Sequence, residues 1–136
     1  MKLISSYPVI CTDKVKESSD FYQQHFNFEP TFAADWYVSL RSKDNTNFEL
    51  ALLDANHPTI PEPYRKKVSG VIINLEVEDV DTEYQRLKEQ SLEFALEIKS
   101  EDFGQRHFIV VDPNGILVDV IQNIEPSAEF AEQYGS

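Results

Sequence analysis

One order of elements occurs twice in this chain, and that repetition constrains the fold more than any other feature. Lys2 to Cys11 (KLISSYPVIC) reads as a strand. From Asp13, the run DKVKESSDFYQQHF places Val15, Tyr22 and Phe26 near helical spacing, with Thr12 or Asp13 as the cap. Three β-rich runs follow at 28–34, 36–42 and 47–53, parted by Asp35 and by the polar turn Lys43-Asp44-Asn45. The segment 55–69 holds three prolines and no periodicity, which makes it a linker. The order then starts again. VIINLEV (71–77) is a strand, and DVDTEYQRLKEQ (79–90) is a helix capped by Asp79, with Val80, Tyr84 and Leu87 at i, i+4 and i+7. Strands at 94–99, 105–111 and 116–122 complete the second set. The expected architecture is α+β: residues 1–136 as a single domain, with modules 1–54 and 70–123, linker 55–69 and a C-terminal tail 124–136 that holds a short helix around Ser127–Tyr134. Repeats of this kind imply that neither half buries its sheet alone, so the two pair across a shared core. Superposing the halves puts Tyr7 over Ile72 and Glu49 over Asp119.

Composition narrows the function classes. A chain of 136 residues, 41% hydrophobic, can bury one core unaided. No apolar run reaches the roughly 18 residues of a membrane span, and the first residues carry no cleavage-type signal, so a cytoplasmic protein without membrane contact is expected. The single cysteine, Cys11, fits a reducing compartment and reads as a small apolar side chain at a strand end. A net charge of −12 disfavours nucleic acid and anionic membranes, which need clustered Lys and Arg. A cationic or neutral partner is easier to accommodate, although acidity also serves plain solubility. Gly-rich phosphate loops, paired CxxC motifs and nucleophile elbows are all missing from the sequence, which leaves NTP hydrolysis, structural zinc and serine-hydrolase chemistry without support.

The end of the chain is the most distinctive part. Phe103 to Ile121 reads FGQRHFIVVDPNGILVDVI, two β-rich runs around the turn Asp112-Pro113-Asn114-Gly115. Together with EVEDVDTEYQRL after a strand and the doubled element order, it resembles the vicinal oxygen chelate superfamily over roughly residues 3–122. That superfamily includes glyoxalase I, the bleomycin and fosfomycin resistance proteins and the extradiol dioxygenases. The resemblance implies two βαβββ modules, each curling its mixed sheet into a half-open trough that holds the ligand, and commonly a homodimer. In metal-dependent members the ligands come from the first and last strands of the modules. The matching positions here are Tyr7, Glu49, Ile72 and Asp119. Ile72 has no donor atom, Tyr7 is a poor ligand at neutral pH, and two carboxylates alone rarely hold a transition metal. No metal or other cofactor is therefore expected. Of the three histidines, His25 lies on a helix and His57 in the linker; His107 is on a strand near the trough and reads as a hydrogen-bonded structural or surface residue rather than a ligand.

Strand alternation sends Glu49, Ala51 and Leu53 to one face and Phe48, Leu50 and Leu52 to the other, the bulkier set suiting a helix. The same argument puts Leu117, Asp119 and Ile121 on the trough face and Ile116, Val118 and Val120 behind it. Glu49 and Asp119 are then expected to converge in a partly apolar cavity. Trp36 and Tyr37 can supply a stacking surface. Arg106, and secondarily Arg41, can supply a fork for an anion, with an internal salt bridge as the competing use. Tyr64 sits where a linker would close over the cavity. The expected ligand-binding set is Tyr7, Trp36, Glu49, Ile72, Arg106 and Asp119, with a small organic molecule, cationic ones included, as partner and no metal. The alternative is a lyase, isomerase or dioxygenase of the glyoxalase type, and an interaction module is a third class.

Overall fold

In the computed structural model, which describes residues 1–134, the chain divides into two units, Met1–Ser69 and Gly70–Ser136. In the first, β1 (Val9–Thr12) leads to α1 (Val15–Phe26), followed by β2 (Phe28–Ala33), β3 (Tyr37–Ser42) and β4 (Glu49–Asp54). The second runs β5 (Ile72–Glu76), α2 (Val80–Lys88), β6 (Phe94–Glu101), β7 (Gln105–Val111), β8 (Leu117–Asn123) and α3 (Ala128–Tyr134). The linker carries a short 3-10 turn, Glu62–Tyr64. Each unit holds one four-stranded mixed sheet, in the order β1-β4-β3-β2 and β5-β8-β7-β6. In both, the first strand lies parallel to the last and the remaining neighbours are antiparallel. This is the pair of βαβββ modules that the sequence repeat predicts. Among the described residues no helix is long and apolar enough to cross a membrane.

Each sheet buries one face under its helix. Leu50, Leu52, Val38 and Leu40 lie behind α1, which turns Val15, Phe21 and Tyr22 onto them. The second core is built from Val80 and Leu87 of α2 with Phe108, Val110, Val118 and Val120. Tyr84 adds its ring between those of Phe94 and Phe108. Pro30 is tolerated because β2 is the outermost strand of its sheet, where a missing N–H costs no ladder bond, and the register slips just after it.

Three local expectations are corrected. The first strand begins at Val9 rather than Lys2, directly after Pro8, which has no N–H to give to a ladder. Lys14, without a side-chain cap, is the N-cap residue of α1, and Thr12 instead accepts the Lys14 N–H at 2.8 Å. Phe48 stands 62% exposed, since it closes the β3–β4 turn through bonds to Ser42 and Asn45 and so lies outside the strand. The cap on α2 is as expected: Asp79 accepts from the Thr82 N–H at 3.2 Å and from its hydroxyl at 2.8 Å.

Candidate functional site

The face of each sheet turned away from its helix carries the polar groups. In the first unit the register Val9 to Ala51 brings Tyr7 alongside Glu49, and Arg41 is the antiparallel partner of Glu49. Tyr37 and Ser39 extend the same face across β3, opposite Leu53 and Ala51. Glu49 accepts a hydrogen bond from the Ser5 hydroxyl at 3.0 Å. The hydroxyls of Tyr37 and Tyr7 are hydrogen-bonded, and Tyr37 is held protonated: burial raises its pKa, with Tyr7 and the Glu49 charge adding to the effect. Tyr7 itself is 46% exposed.

An aromatic group adjoins these residues. The Trp36 ring lies 5.7 Å from that of Tyr37 and stacks on His57 at 4.2 Å with only 13° between planes. Phe32 is 6.1 Å from Tyr37. His57 in turn is fixed by Thr59, whose hydroxyl is 2.9 Å from Nδ1. Trp36 therefore ties the start of the linker to the strand edge. Tyr64 is exposed on the 3-10 turn.

In the second unit the corresponding face holds a different cluster. His107 is buried, 6% exposed, with Nδ1 2.8 Å from Asp119 Oδ1 and Nε2 2.8 Å from Glu101 Oε2. Lys99, the cross-strand partner of His107, also reaches Glu101 at 3.4 Å. Burial lowers the His107 pKa, but the hydrogen bonds and charges of Glu101 and Asp119 together outweigh it and leave the imidazole above its ordinary value. The same contact, assisted by Lys99, holds the Glu101 carboxyl below the usual range. The sequence reading did not single out Glu101. Its signal was the hairpin register, since a β6 strand carried on to residue 101 places this acid near His107.

The remaining expected residues are placed as follows. Ile72 lies on the same face as Asp119 but pairs with Leu117, and the partner of Asp119 on β5 is Asn74. The two parallel pairings therefore differ in register: Tyr7 falls beside Glu49, whereas Ile72 falls two residues short of Asp119. Ile72 is 56% exposed and, as a hydrocarbon, has no donor. Arg106 points the other way, toward α2, where its guanidinium grips Asp81 at 2.8 and 3.0 Å and donates to Ser100 at 3.2 Å. Arg41 faces Glu29 at 3.8 Å.

The doubled βαβββ order and its parallel closure are matched by family membership. Residues 5–120 fit the profile of the Glyoxalase/Bleomycin resistance protein/Dioxygenase superfamily, and the chain belongs to that superfamily. No curated protein matches the chain in sequence. Among solved structures it is similar to a glyoxalase/bleomycin resistance protein/dioxygenase from Nocardioides, with 18% identity and a TM-score of 0.74 over 92% of this chain and 86% of that one. A superfamily member from Sphaerobacter thermophilus gives 22% identity and 0.72 over 90% and 98%. A lactoylglutathione lyase from Agrobacterium tumefaciens gives 17% identity and 0.70 over 90% and 96%. These likenesses are of fold, and one scaffold of this kind carries many chemistries.

Proposed function

We propose that the protein is a metal-free small-molecule binder of this superfamily, taking a cationic or hydrogen-bond-donating organic molecule on the Tyr7–Tyr37–Glu49 face of its first unit. The observation that carries the reading is the pairing of a partly exposed carboxylate with aromatic rings on one sheet face. Glu49 lies beside Tyr7, and Tyr37 continues into Trp36. A cation bound there gains both a charge-assisted hydrogen bond and ring faces. The donor set supports the metal-free part. Of the four positions where metal-dependent relatives place ligands, Ile72 offers no donor atom, Asp119 already spends one oxygen on His107, and the Tyr7 phenol is bonded to Tyr37. A homodimer is the assembly we assign, following the habit of the superfamily.

Thermal melting of the full chain with a panel of cationic aromatic compounds, and separately with Mg²⁺, Mn²⁺, Ni²⁺ and Zn²⁺ against EDTA, tests the reading. A compound that raises the Tm in the wild type and not in Glu49→Gln is the expected result. A clear metal-dependent rise with no response to any organic cation would overturn it.

A second reading, a lyase or isomerase of the glyoxalase type, is favoured by one feature. An imidazole held between two carboxylates, Glu101 and Asp119, is equipped to exchange protons. Turnover that vanishes in His107→Gln while the fold is intact would support it.

A further inference from the structure

The linker returns to the first unit and closes a cleft of about 410 Å³ lined by Asp13, Ala55, Asn56, Arg65, Lys66 and Lys67. Three of its side chains are consecutive cations in a chain that carries twice as many acids as bases, 24 against 12. Against them stands one carboxylate, Asp13, so the cleft has a local positive excess inside an otherwise negative protein.

The backbone holds these cations in place. The Val68 N–H bonds to the Cys11 carbonyl at 2.8 Å, which fastens the segment to β1. The Arg65 N–H bonds back to Glu62, and its side-chain Nε donates to the Ile60 carbonyl at 2.8 Å. That second bond anchors the guanidinium through one nitrogen, in a residue that lines the cleft. Lys67 is 3.5 Å from Asp13, a long and solvated pairing. Lys66 forms no ion pair among the described residues. An anchored planar fork flanked by two exposed lysines matches an anion with several oxygens, which a single surface lysine would not. The amide side chain of Asn56, also in the lining, adds a neutral donor.

We propose that this cleft binds small polyanions, molecules bearing two or more phosphate or carboxylate groups. It is separate from the face described under the proposed function and uses none of its residues.

The test is a titration of the isotope-labelled full chain with inorganic pyrophosphate and, in parallel, with citrate, following backbone amide shifts at constant ionic strength. Sodium chloride at matched ionic strength is the reference. Saturable shifts at Ala55, Asn56 and residues 65–67 are expected with one or both anions, and the tighter of the two decides between phosphate and carboxylate. In Arg65→Gln the affinity should fall at least tenfold, whereas Lys43→Gln, which removes the same charge from the β3–β4 turn, should leave it within twofold. Shifts that follow chloride alone, that never saturate, or that respond equally to both variants would overturn the proposal. The spectra themselves report whether each variant is folded.

Discussion

His107 and Asp119 meet diagonally across the β7–β8 ladder, with Nδ1 2.8 Å from Oδ1, although the direct partner of Asp119 is Ile109 and that of His107 is Ile121. On this face a buried imidazole spans two acids, Asp119 on β8 and Glu101 at the end of β6.

The pH dependence follows from the signs of the two shifts. His107 is raised above its ordinary value of about 6.5, so its contribution to stability is fully present below that pH and is lost as pH rises through the folded value. Glu101 is depressed, so its contribution is present above the ordinary carboxyl range, about 4.3, and is lost as pH falls through the folded value. The cluster therefore stabilises most between about pH 4.5 and 6.5. Removing the imidazole in His107→Gln should cost roughly 1–3 kcal/mol there, as both acids lose a charged donor. Urea unfolding of both proteins at pH 5.5 and 8.5 checks the sign: the gap between them should narrow at the higher pH, and an equal or wider gap would refute this account.

Two truncations to alanine in the first unit should differ sharply. Leu52 is fully buried behind α1, and Leu52→Ala should cost about 2–5 kcal/mol through lost burial and the cavity left behind. Phe48→Ala, at an exposed turn, should stay within about 0.5 kcal/mol. Chemical denaturation of both variants decides whether Phe48 lies outside the core.

Asp79 begins α2 by accepting two hydrogen bonds from Thr82. Asp79→Ala should lower stability by about 1 kcal/mol, and Asp79→Asn, which keeps an acceptor, by much less. For a domain of this size the first loss is a drop of a few degrees in Tm, measurable by calorimetry.

Gly104 and Gly70 both have positive φ, +102° and +70°, but differ in surroundings. A Cβ on Gly104 would lie 2.9 Å from the Ile124 carbonyl oxygen, whereas one on Gly70 would meet nothing within 4 Å. Gly70→Ala should therefore cost only the conformational penalty, about 1–2 kcal/mol. Gly104→Ala should cost more, because the chain around Ile124 has to shift as well, and thermal melts of the pair would show the order.

Much of this architecture was legible in the amino-acid sequence. Residues 105–111 form β7 with the bounds their β-rich run gave, and the Asp112-Pro113-Asn114-Gly115 turn closes as its chemistry requires, with Gly115 at φ +78° and its N–H on the Asp112 carbonyl. Alternation placed Val118 and Val120 among the buried residues, although Asp119 and Ile121 on the other face are buried too. What alternation cannot carry is register. The pairing of Asp119 with Asn74 instead of Ile72, and the reach of Glu101 to His107, depend on where one strand stops against another. The competition for Arg106 was likewise decided by α2, whose Asp81 is 25 positions away in the chain.

The parallel pairing of β1 with β4 has a consequence for the order of events during synthesis. Val9 takes Ala51 as its partner, so the whole of α1, β2 and β3 must leave the ribosome before the first strand finds its place. At ordinary elongation rates of about 5–20 residues per second, that interval lasts a few seconds. Ile72 then waits in the same way for Leu117. The nascent polypeptide thus passes twice through a stage in which a β-branched strand is made but unpaired, and at each the growing chain offers a sticky edge to whatever attends its emergence.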